Sequence, residues 1–442
     1  MTGPSSPTAS PTAVVVTIGD ELLAGETVDT NKATLAAFAT AHGFSVTAAH
    51  TLPDDLEAIA RLLSDLIGRC RLCLVCGGLG PTSDDVTRHA VARACGRPLR
   101  RNPALVEDLE AKFARLGRSM PEANLVQADV PEGAEILANP IGTAAGFVVG
   151  DATTFAVLPG PPRELARMLH HELAPRMSAL GGGPPRPTRR YRCLGFGESS
   201  LAARLEPRLP ELEGLLESGG VRVRYRAAMP LVDVTFVLDA RPSGEVLDAM
   251  DRIVAEALAP ALYGIGMADL PTRVLAALRQ HGHTLATAES CTGGRVAAQI
   301  TAVPGASSVF AGGVVAYANR IKTALLGVSE EDLARHGAVS EQVARAMADG
   351  ARACLRTDFA ISTTGIAGPA GGSPEKPVGT VWVGIATPDG TDAKRLSLRG
   401  ERQRIQHAAA LWGLKLLWDR LVAMDLARVE VLDGQPAPAP PL

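Results

Sequence analysis

Residues 287–294 read TAESCTGG and place an acid, a hydroxyl and a thiol directly before two glycines. A strand-like run over residues 284–288 leads into this segment, and a helical pattern over residues 295–300 follows it. A strand, a tight turn and a helix in this order raise a side chain above a sheet and aim backbone N–H groups at one point. The segment therefore predicts an α/β fold for this part of the chain, with a reactive group at the turn.

Length and composition narrow the class of protein. The chain has 442 residues, 46% of them apolar, which is enough for several domains with separate cores. The net charge of −3 and the lack of an evident basic patch argue against nucleic acid or an anionic membrane as a partner. No apolar run approaches the roughly 18 residues of a membrane span, so we expect a soluble protein.

The N-terminus and the cysteines bear on location. Residues 1–12 have neither a basic start nor a hydrophobic segment, which predicts a disordered tail rather than a signal peptide. The seven cysteines are odd in number and scattered, as expected for reduced thiols in a cytoplasmic protein. Cys70, Cys73 and Cys76 form a C-x-x-C-x-x-C pattern, but residues 72–76 have the pattern of a buried strand. A strand turns the side chains of Cys73 and Cys76 to opposite faces, which favours packing over a metal site.

The order of apolar runs and helical patterns divides the chain. Residues 13–180 alternate the two as in a parallel α/β sheet, and GGGPPRP at 181–187 reads as a linker. Residues 186–264 predict a small α+β domain, and residues 268–430 a second α/β domain. Residues 431–442 form a Pro-rich tail.

Three segments of the first domain follow apolar runs and carry polar or glycine residues. They are residues 18–21 together with 29–31, residues 77–85, and residues 158–162. Ligands of open α/β sheets bind beyond the carboxyl ends of strands, where glycines admit phosphate and carboxylates can hold a divalent cation. The pattern predicts a phosphate-bearing ligand, although Asp84 also suits a simple helix cap.

These segments resemble a known family. GDELLAGETVDTN, GGLGPTSDDVT and LPGPPREL resemble the N-terminal domain of the CinA family, a three-layer α/β domain similar to molybdopterin-binding domains of the MoaB and MogA type. The resemblance implies divalent-metal-dependent cleavage of the ADP-ribose pyrophosphate. It also implies that Asp20, Asp84 and Asp85 lie at the metal site, with Asn31 and Gly78 at the substrate. The identity of the metal, and the carboxylates that touch it, stay open.

The middle segment, from RCLGFGESSLAARLE to about residue 262, resembles the KH-type domain of CinA proteins. Nucleic-acid-binding KH domains use a Gly-x-x-Gly loop with basic neighbours, whereas residues 195–198 read GFGE. We therefore expect no nucleic acid here, but a spacer or a role in organising the homodimer that the resemblance implies.

The third domain resembles the CinA C-terminal domain, which also occurs alone as the nicotinamide mononucleotide deamidase PncC. AESCTGG, GGVVAYANRIKTALLGV, HGAVSEQVA, TTGIAGPAGG and PEKPVGTVWVG carry the resemblance. It implies an amidase that needs no cofactor, with Ser290, Tyr317 and Lys322 in catalysis.

The residues themselves support a serine rather than a cysteine nucleophile. A catalytic cysteine normally needs a histidine base. We expect the histidines of this domain at the surface: His281, His283, His336 and His407. Cys291 is then expected to pack under the turn. Arginine cannot release its proton, so one of the chain's six lysines is a candidate base. Lys322 begins a helix after a strand, where burial can lower its pKa as a Ser–Lys mechanism requires.

The sequence also suggests how the substrate binds. Amides from Cys291 to Gly294, including those of Gly293 and Gly294, are expected to stabilise an oxyanion. Thr364 and Gly365 are expected to form a second wall of the pocket. Residues 400–402 read GER where the family that the domain resembles tends to have Gly-Asp-Arg, so the resemblance implies Arg402 as the phosphate contact, with Arg404 as an alternative. Glu289 can orient either the turn or a substrate hydroxyl.

Two other functions remain open at this point. One is a molybdopterin-binding protein of cofactor biosynthesis. The other is a non-catalytic assembly protein with degenerate sites.

Overall fold

The computed structural model describes residues 10–216 and 220–433, which fall into two compact units, Met1–Pro185 and Arg186–Leu442. The boundary lies inside the linker predicted at 181–187. Most of the predicted N-terminal tail lies outside the described residues, but Thr12 already begins the first strand. No helix of the described chain is long and apolar enough to cross a bilayer.

The first unit alternates strands and helices. In chain order, its elements are β1 (Thr12–Ile18), α1 (Asp20–Leu23), α2 (Thr30–Ala41), β2 (Ser45–Leu52), α3 (Leu56–Leu66), β3 (Leu72–Cys76), α4 (Thr87–Ala94), β4 (Leu99–Arg101), α5 (Pro103–Arg115), β5 (Asp129–Pro131), β6 (Glu135–Leu137), β7 (Gly146–Val149), β8 (Thr154–Leu158) and α6 (Pro162–Met168).

The main sheet of this unit has the strand order β2-β1-β3-β8-β7-β6. Its first four strands correspond to the four predicted apolar runs and are parallel, as predicted. The prediction did not include β7, which runs antiparallel to both β8 and β6 and makes the sheet mixed. The reason is the short connection between β7 and β8, which is too short for the crossover that parallel strands need.

Helices cover both faces of this sheet, which gives the predicted three layers. One face buries Cys73 against α3, α4 and α5, and the other buries Cys76 against α2 and α6. The two thiols therefore point apart, as the strand period predicts. All seven cysteines lie in the described chain and are free thiols.

The second unit begins with a small antiparallel sheet of order β10-β11-β9-β12. Its elements are β9 (Thr188–Leu194), α7 (Glu198–Leu205), α8 (Leu209–Gly214), β10 (Val221–Ala228), β11 (Leu231–Leu238), α9 (Gly244–Leu258) and β12 (Leu262–Ile265). The helices pack on one face through a core that includes Leu201, Val234 and Val254. This arrangement is the predicted α+β domain, and its KH-type identity stays a prediction.

A second three-layer domain follows, with the strand order β14-β13-β15-β16-β17. Its elements are α10 (Leu270–Gln280), β13 (Leu285–Glu289), α11 (Arg295–Thr301), β14 (Phe310–Val315), α12 (Asn319–Leu326), α13 (Glu330–His336), α14 (Glu341–Leu355), β15 (Phe359–Gly365), β16 (Thr380–Thr387), β17 (Gly390–Ser397) and α15 (Arg402–Ala423). The first three strands in the order are parallel, so the carboxyl ends of β13, β14 and β15 meet at one edge.

The end of the described chain returns to the small sheet. Val431 pairs with Ile265 of β12, and buried Arg273 donates to the carbonyls of Ile265 and Glu430. Residues 431–433 therefore belong to the folded part, which corrects the predicted start of the Pro-rich tail; residues 434–442 lie outside the described chain. Leu194 and Tyr263 share one core with α10 and α15, so the small sheet and the C-terminal domain are packed together.

Candidate functional site

The turn after β13 is held by Glu289, whose side chain is almost completely buried. One carboxylate oxygen accepts from the Thr292 hydroxyl (2.7 Å) and from the amides of Gly294 (2.9 Å) and Val296 (3.1 Å), and the other accepts from the Ala297 amide (2.8 Å). These amides are the otherwise unpaired donors at the start of α11, and a carboxylate there also complements the helix dipole. Of the two roles left open by the sequence, the structure supports the structural one: Glu289 orients the turn.

This cap limits which amides can bind substrate. The sequence predicts that the Gly294 amide stabilises an oxyanion, but in the structure this amide donates to Glu289 instead. The amides of Cys291, Thr292 and Gly293 have no acceptor within residues 10–216 and 220–433. Gly293 and Gly294 both have positive φ, at 62° and 97°, which explains why glycine occupies the turn. Both glycines therefore shape the turn, and neither is among the residues that line the adjacent cavity.

That cavity has a volume of about 210 Å³ and lies at the carboxyl edge of the C-terminal sheet. It brings together six of the predicted site residues with five others. Its lining is Ser290, Cys291, Tyr317, Asn319, Lys322, Ala338, Val339, Thr364, Gly365, Ala367 and Arg402.

Ser290 is positioned by the neighbouring strand. Its amide donates to the Thr363 carbonyl of β15 (2.8 Å), and its side chain is largely buried. Its hydroxyl makes no hydrogen bond with any other described residue, so the hydroxyl is free to bind a ligand in the cavity.

Lys322 is the buried cation of this site, with 1% of its surface exposed. Its ammonium donates to the Ala316 carbonyl (2.9 Å), with longer contacts to the Tyr317 carbonyl (3.4 Å) and Asn319 Oδ1 (3.5 Å). All three partners are neutral, and burial lowers the pKa of the Lys322 ammonium. Lys322 therefore has the environment that a lysine base requires, although it does not hydrogen bond to Ser290 in this structure.

Cys291 is packed rather than activated. Burial, with the nearby Glu289 carboxylate, raises the pKa of its thiol to about 12. Its carbonyl accepts from the buried Gln406 amide of α15 (2.7 Å), which fixes the turn to that helix. A thiol with so high a pKa is a poor nucleophile at neutral pH.

The histidines do not change this assignment. His283 lies beside Asp358 at the opposite end of β13, with 3.7 Å between its Nδ1 and the carboxylate. None of the described residues that line the cavity is a histidine.

Tyr317 and Arg402 are paired at the mouth of the cavity. The Arg402 guanidinium donates to the Tyr317 hydroxyl (2.6 Å) and to the Gly368 carbonyl (2.7 Å). The Tyr317 hydroxyl is therefore bound to Arg402 and not to Lys322, and its predicted part in proton transfer stays a prediction. Arg404 lines a different cavity, which makes Arg402 the arginine that the Ser290 cavity offers to a phosphate.

The first unit places several carboxylates at the carboxyl end of β1. The Asp20 amide donates to Asp54 (3.0 Å), and the Asp54 amide donates to Asp20 (3.3 Å). Burial raises the pKa of Asp54, and the charges of Asp20, Glu21 and Asp84 add to that rise. Asp54 was not among the predicted residues, because Pro53-Asp54-Asp55 reads only as a helix start, and Asp55 is indeed the cap of α3.

Asp85 has a different environment from Asp84. Its carboxylate accepts from the amides of Gly80 (2.7 Å) and Thr82 (2.9 Å), so it closes the glycine loop on itself. Buried Arg88 donates to the carbonyls of Leu79 (2.6 Å) and Gly80 (2.7 Å) from the other side. Asp85 is therefore already engaged in holding the loop.

Gly78 has a φ of +65°, and a Cβ there would meet the Thr87 hydroxyl at 2.2 Å. Glycine is required at this position for the loop to pack against α4. Gly78 thus shapes the loop, and it does not line the cavity beside β1.

Asn31 joins two of the three predicted segments. Its side-chain amide donates to the Gly160 carbonyl (2.7 Å) and contacts Cys76 Sγ (3.4 Å). Asn31 and Gly160 line a cavity of about 370 Å³ with Asp29 and Glu21. The segments therefore meet at the carboxyl ends of β1, β3 and β8, as predicted for a ligand site.

The fit of a divalent cation depends on how many ligands this edge supplies. No group of three or more His, Cys, Asp or Glu side chains in the described chain is arranged to hold a metal by itself. The charges of Asp20, Glu21 and Asp84 nevertheless disfavour the ionised form of Asp54, and a cation beside Asp54 would relieve that repulsion. Magnesium is commonly held by one or two carboxylates together with substrate phosphate, and these residues fit a site of that kind.

Two family profiles match this chain. The profile described as "CinA C-terminal domain" matches residues 267–421, and that described as "Probable molybdopterin binding domain" matches residues 14–179. A "CinA-like protein" of Gemmatimonas aurantiaca is 41% identical over 92% of this chain and 95% of its own. A "Putative competence-damage inducible protein" of Symbiobacterium thermophilum is 40% identical over 92% of this chain and 97% of its own.

A solved structure, the "competence/damage inducible protein CihA from Agrobacterium tumefaciens", is 38% identical. It covers 35% of this chain and 93% of its own, with a TM-score of 0.33.

Proposed function

The chain belongs to the CinA family, and from that premise we propose that its C-terminal domain is a serine amidase that hydrolyses nicotinamide mononucleotide to nicotinic acid mononucleotide and ammonia. The observation that carries the proposal is a buried lysine in the same cavity as a free serine hydroxyl. Lys322 has a lowered pKa and only neutral partners, and Ser290 has a hydroxyl without a partner in the described chain. This is the pair that a Ser–Lys hydrolase needs.

In the proposed reaction, Ser290 Oγ attacks the carboxamide carbon while its proton passes to Lys322. A side-chain rotation or one intervening water joins the two groups, since catalytic hydrogen bonds often tighten only when substrate binds. The free amides of Cys291, Thr292 and Gly293 are the donors available to the oxyanion. The C–N bond then breaks, ammonia leaves with the proton from Lys322, and water hydrolyses the acyl-serine ester.

Arg402 gives this cavity a contact for the substrate phosphate. Its guanidinium is held by Tyr317 and Gly368, and it faces the lining that includes Ser290. A planar guanidinium suits phosphate, and fixing it in advance lowers the entropy cost of binding. We assign Tyr317 to orienting Arg402, in addition to its predicted part in proton transfer.

For the N-terminal unit we propose metal-dependent hydrolysis of the ADP-ribose pyrophosphate. Asp20, Asp54 and Asp84 would hold the cation, which when bound would neutralise phosphate charge and lower the pKa of a water. Asn31 and the Gly160 segment would bind the rest of the nucleotide in the cavity of about 370 Å³. Asp85 and Arg88 would keep the glycine loop in shape.

A second candidate for this unit is pterin binding. The matched profile is described as a probable molybdopterin binding domain, which is the observation that favours it. Mass spectrometry of the purified protein distinguishes the two, because a pterin-binding protein would carry or take up pterin and would leave ADP-ribose intact.

The test of the proposal measures both reactions on one sample of the full chain. Ser290→Ala should lower deamidation by several orders of magnitude, and Cys291→Ala should leave most of it. A chelator should stop ADP-ribose cleavage and spare deamidation, since only the first reaction uses a cation. Deamidation that survives Ser290→Ala, or that falls together with ADP-ribose cleavage on chelation, contradicts the proposal.

A further inference from the structure

A second cavity lies between the small sheet and the C-terminal domain, inside the second unit. Its volume is about 550 Å³, larger than the 210 Å³ beside Ser290, and the two cavities share no lining residue. The end of β9, the turn between β10 and β11, the end of β17 and the first turns of α15 form its walls. Its lining is Gly195, Met229, Pro230, Leu396, Ser397, Leu398, Arg399, Gly400, Arg404, Ala408 and Trp412.

The charge of this cavity has one sign. Among the described residues that line it, only Arg399 and Arg404 are charged, and none is an acid. Neither guanidinium hydrogen bonds or ion pairs with any residue of 10–216 or 220–433. Both therefore keep their donors available, and an anion can bind them without breaking an existing ion pair.

Apart from Ser397, the rest of the lining has no polar side chain, and it includes an aromatic ring. Leu396, Ala408 and Pro230 are buried, and Trp412 is half-buried. Gly195 has a φ of +92°, and a Cβ at this position would lie 2.5 Å from the Trp412 ring. Glycine thus lets the end of β9 approach the tryptophan edge, which keeps the ring in the cavity wall. Planar groups stack well on tryptophan and on guanidinium planes.

From these observations we propose that the cavity is a second ligand site, for an organic anion that carries a planar ring and is about the size of a nucleoside monophosphate. Arg399 and Arg404 bind the anionic group, and Trp412 with Met229 contacts the ring. A volume of about 550 Å³ lies within the roughly 300–1,000 Å³ of small-molecule pockets. A simple inorganic anion would contact only the arginines, and a neutral ring would contact only the apolar wall with Trp412.

Tryptophan fluorescence reports directly on this site. The chain has three tryptophans, Trp382, Trp412 and Trp418, and all of them lie in the C-terminal domain. Trp418 is buried and lies outside this lining, as does Trp382, so a ligand in the cavity should change chiefly the emission of Trp412.

The experiment titrates the full chain with AMP, adenosine and inorganic phosphate, and follows tryptophan emission. AMP should quench saturably, with at least tenfold higher affinity than adenosine or phosphate. The double variant Arg399→Gln/Arg404→Gln should weaken AMP binding at least tenfold, and Trp412→Phe should remove the quench. Arg402→Gln is the matched control, since Arg402 lines only the Ser290 cavity, and it should leave the AMP titration unchanged.

Four results would overturn the proposal. If the double variant has an unchanged urea midpoint and binds AMP as tightly as the unmodified chain, Arg399 and Arg404 do not bind the anionic group. Equal binding of adenosine shows a merely apolar pocket, and equal binding of phosphate shows nonspecific attraction to arginine. Loss of the quench in Arg402→Gln places the ligand beside Ser290 instead. None of these measurements depends on deamidation. The proposed second site can therefore be refuted while the proposed amidase function stands, and the amidase function can be refuted while the second site stands.

Discussion

The cap that Glu289 forms on α11 gives the sharpest prediction, made by replacing it with glutamine. Glutamine has a similar shape but one acceptor oxygen, so it keeps three of the four hydrogen bonds as neutral ones and turns an NH₂ group toward the Ala297 amide. Hydrogen bonds to a charged group contribute about 1.5–3 kcal/mol against about 1 for neutral ones, and an unsatisfied buried donor costs about 1–3 kcal/mol. Added together for three weakened bonds and one unsatisfied donor, these terms lower the free energy of unfolding of the second unit in Glu289→Gln by about 2.5–9 kcal/mol.

Urea denaturation followed by tryptophan emission measures this change, because all three tryptophans lie in the domain that contains Glu289. The matched control is Glu330→Gln, an exposed acid in the first turn of α13, which should change the unfolding free energy by less than about 0.5 kcal/mol. If Glu289→Gln keeps its stability within about 1 kcal/mol yet loses deamidation, the reasoning is refuted, because Glu289 would then act on substrate rather than on the turn.

Three further predictions concern charges in the two sites. For Lys322, kcat/KM of deamidation should rise about tenfold per pH unit and level off below pH 10.5, because the lysine must be neutral to act as a base and burial lowers its pKa. Lys322→Arg should be inactive at every pH, and retained activity in this variant would show that the base lies elsewhere. For Asp54, the pKa is raised in the folded state, so the folded state loses stability as pH rises through the titration of this carboxyl. Asp54→Asn should therefore raise the thermal midpoint of the first unit at pH 8 and flatten the pH dependence of that midpoint, whereas Asp65→Asn, at an exposed position, should do neither. A lower thermal midpoint in Asp54→Asn would contradict this account. For the phosphate contact, Arg402→Gln should raise KM for nicotinamide mononucleotide while Arg404→Gln leaves it unchanged, and steady-state kinetics showing the reverse would make Arg404 the contact.

The local features of the fold could be predicted from the sequence. The octet at 287–294 predicts its strand, turn and helix, and the apolar runs locate β1, β3 and β8, because hydrophobic periodicity is a local signal. The antiparallel edge of the first sheet could not be predicted in this way, since it depends on which strands pair. Six of the predicted residues do line one cavity: Ser290, Tyr317, Lys322, Thr364, Gly365 and Arg402.

The long-range contacts that position the site residues could not be predicted from the sequence. Nothing near residue 406 indicates that Gln406 binds the Cys291 carbonyl, 115 positions away. Asp54 joins Asp20 across 34 positions, in a loop whose sequence indicates only a helix cap. Asn319 had a weak signal, since it begins the helix that carries Lys322. The choice between roles for Glu289 likewise needed the geometry, because a carboxylate before two glycines suits a ligand contact as well as a cap.

The pairing of Ile265 with Val431 has a consequence for how the chain folds during synthesis. The two residues are 166 positions apart, so at roughly 5–20 residues per second the ribosome takes about 8–33 s to deliver the partner of β12. Throughout that interval Arg273 lacks the Glu430 carbonyl that it binds in the native state. Until residues 430–431 emerge, the edge of β12 is open, and Arg273 has only the Ala268 and Ile265 carbonyls as acceptors. The small sheet and the C-terminal domain therefore complete their shared packing together, and the open edge of β12 is exposed to strand-edge aggregation in that interval.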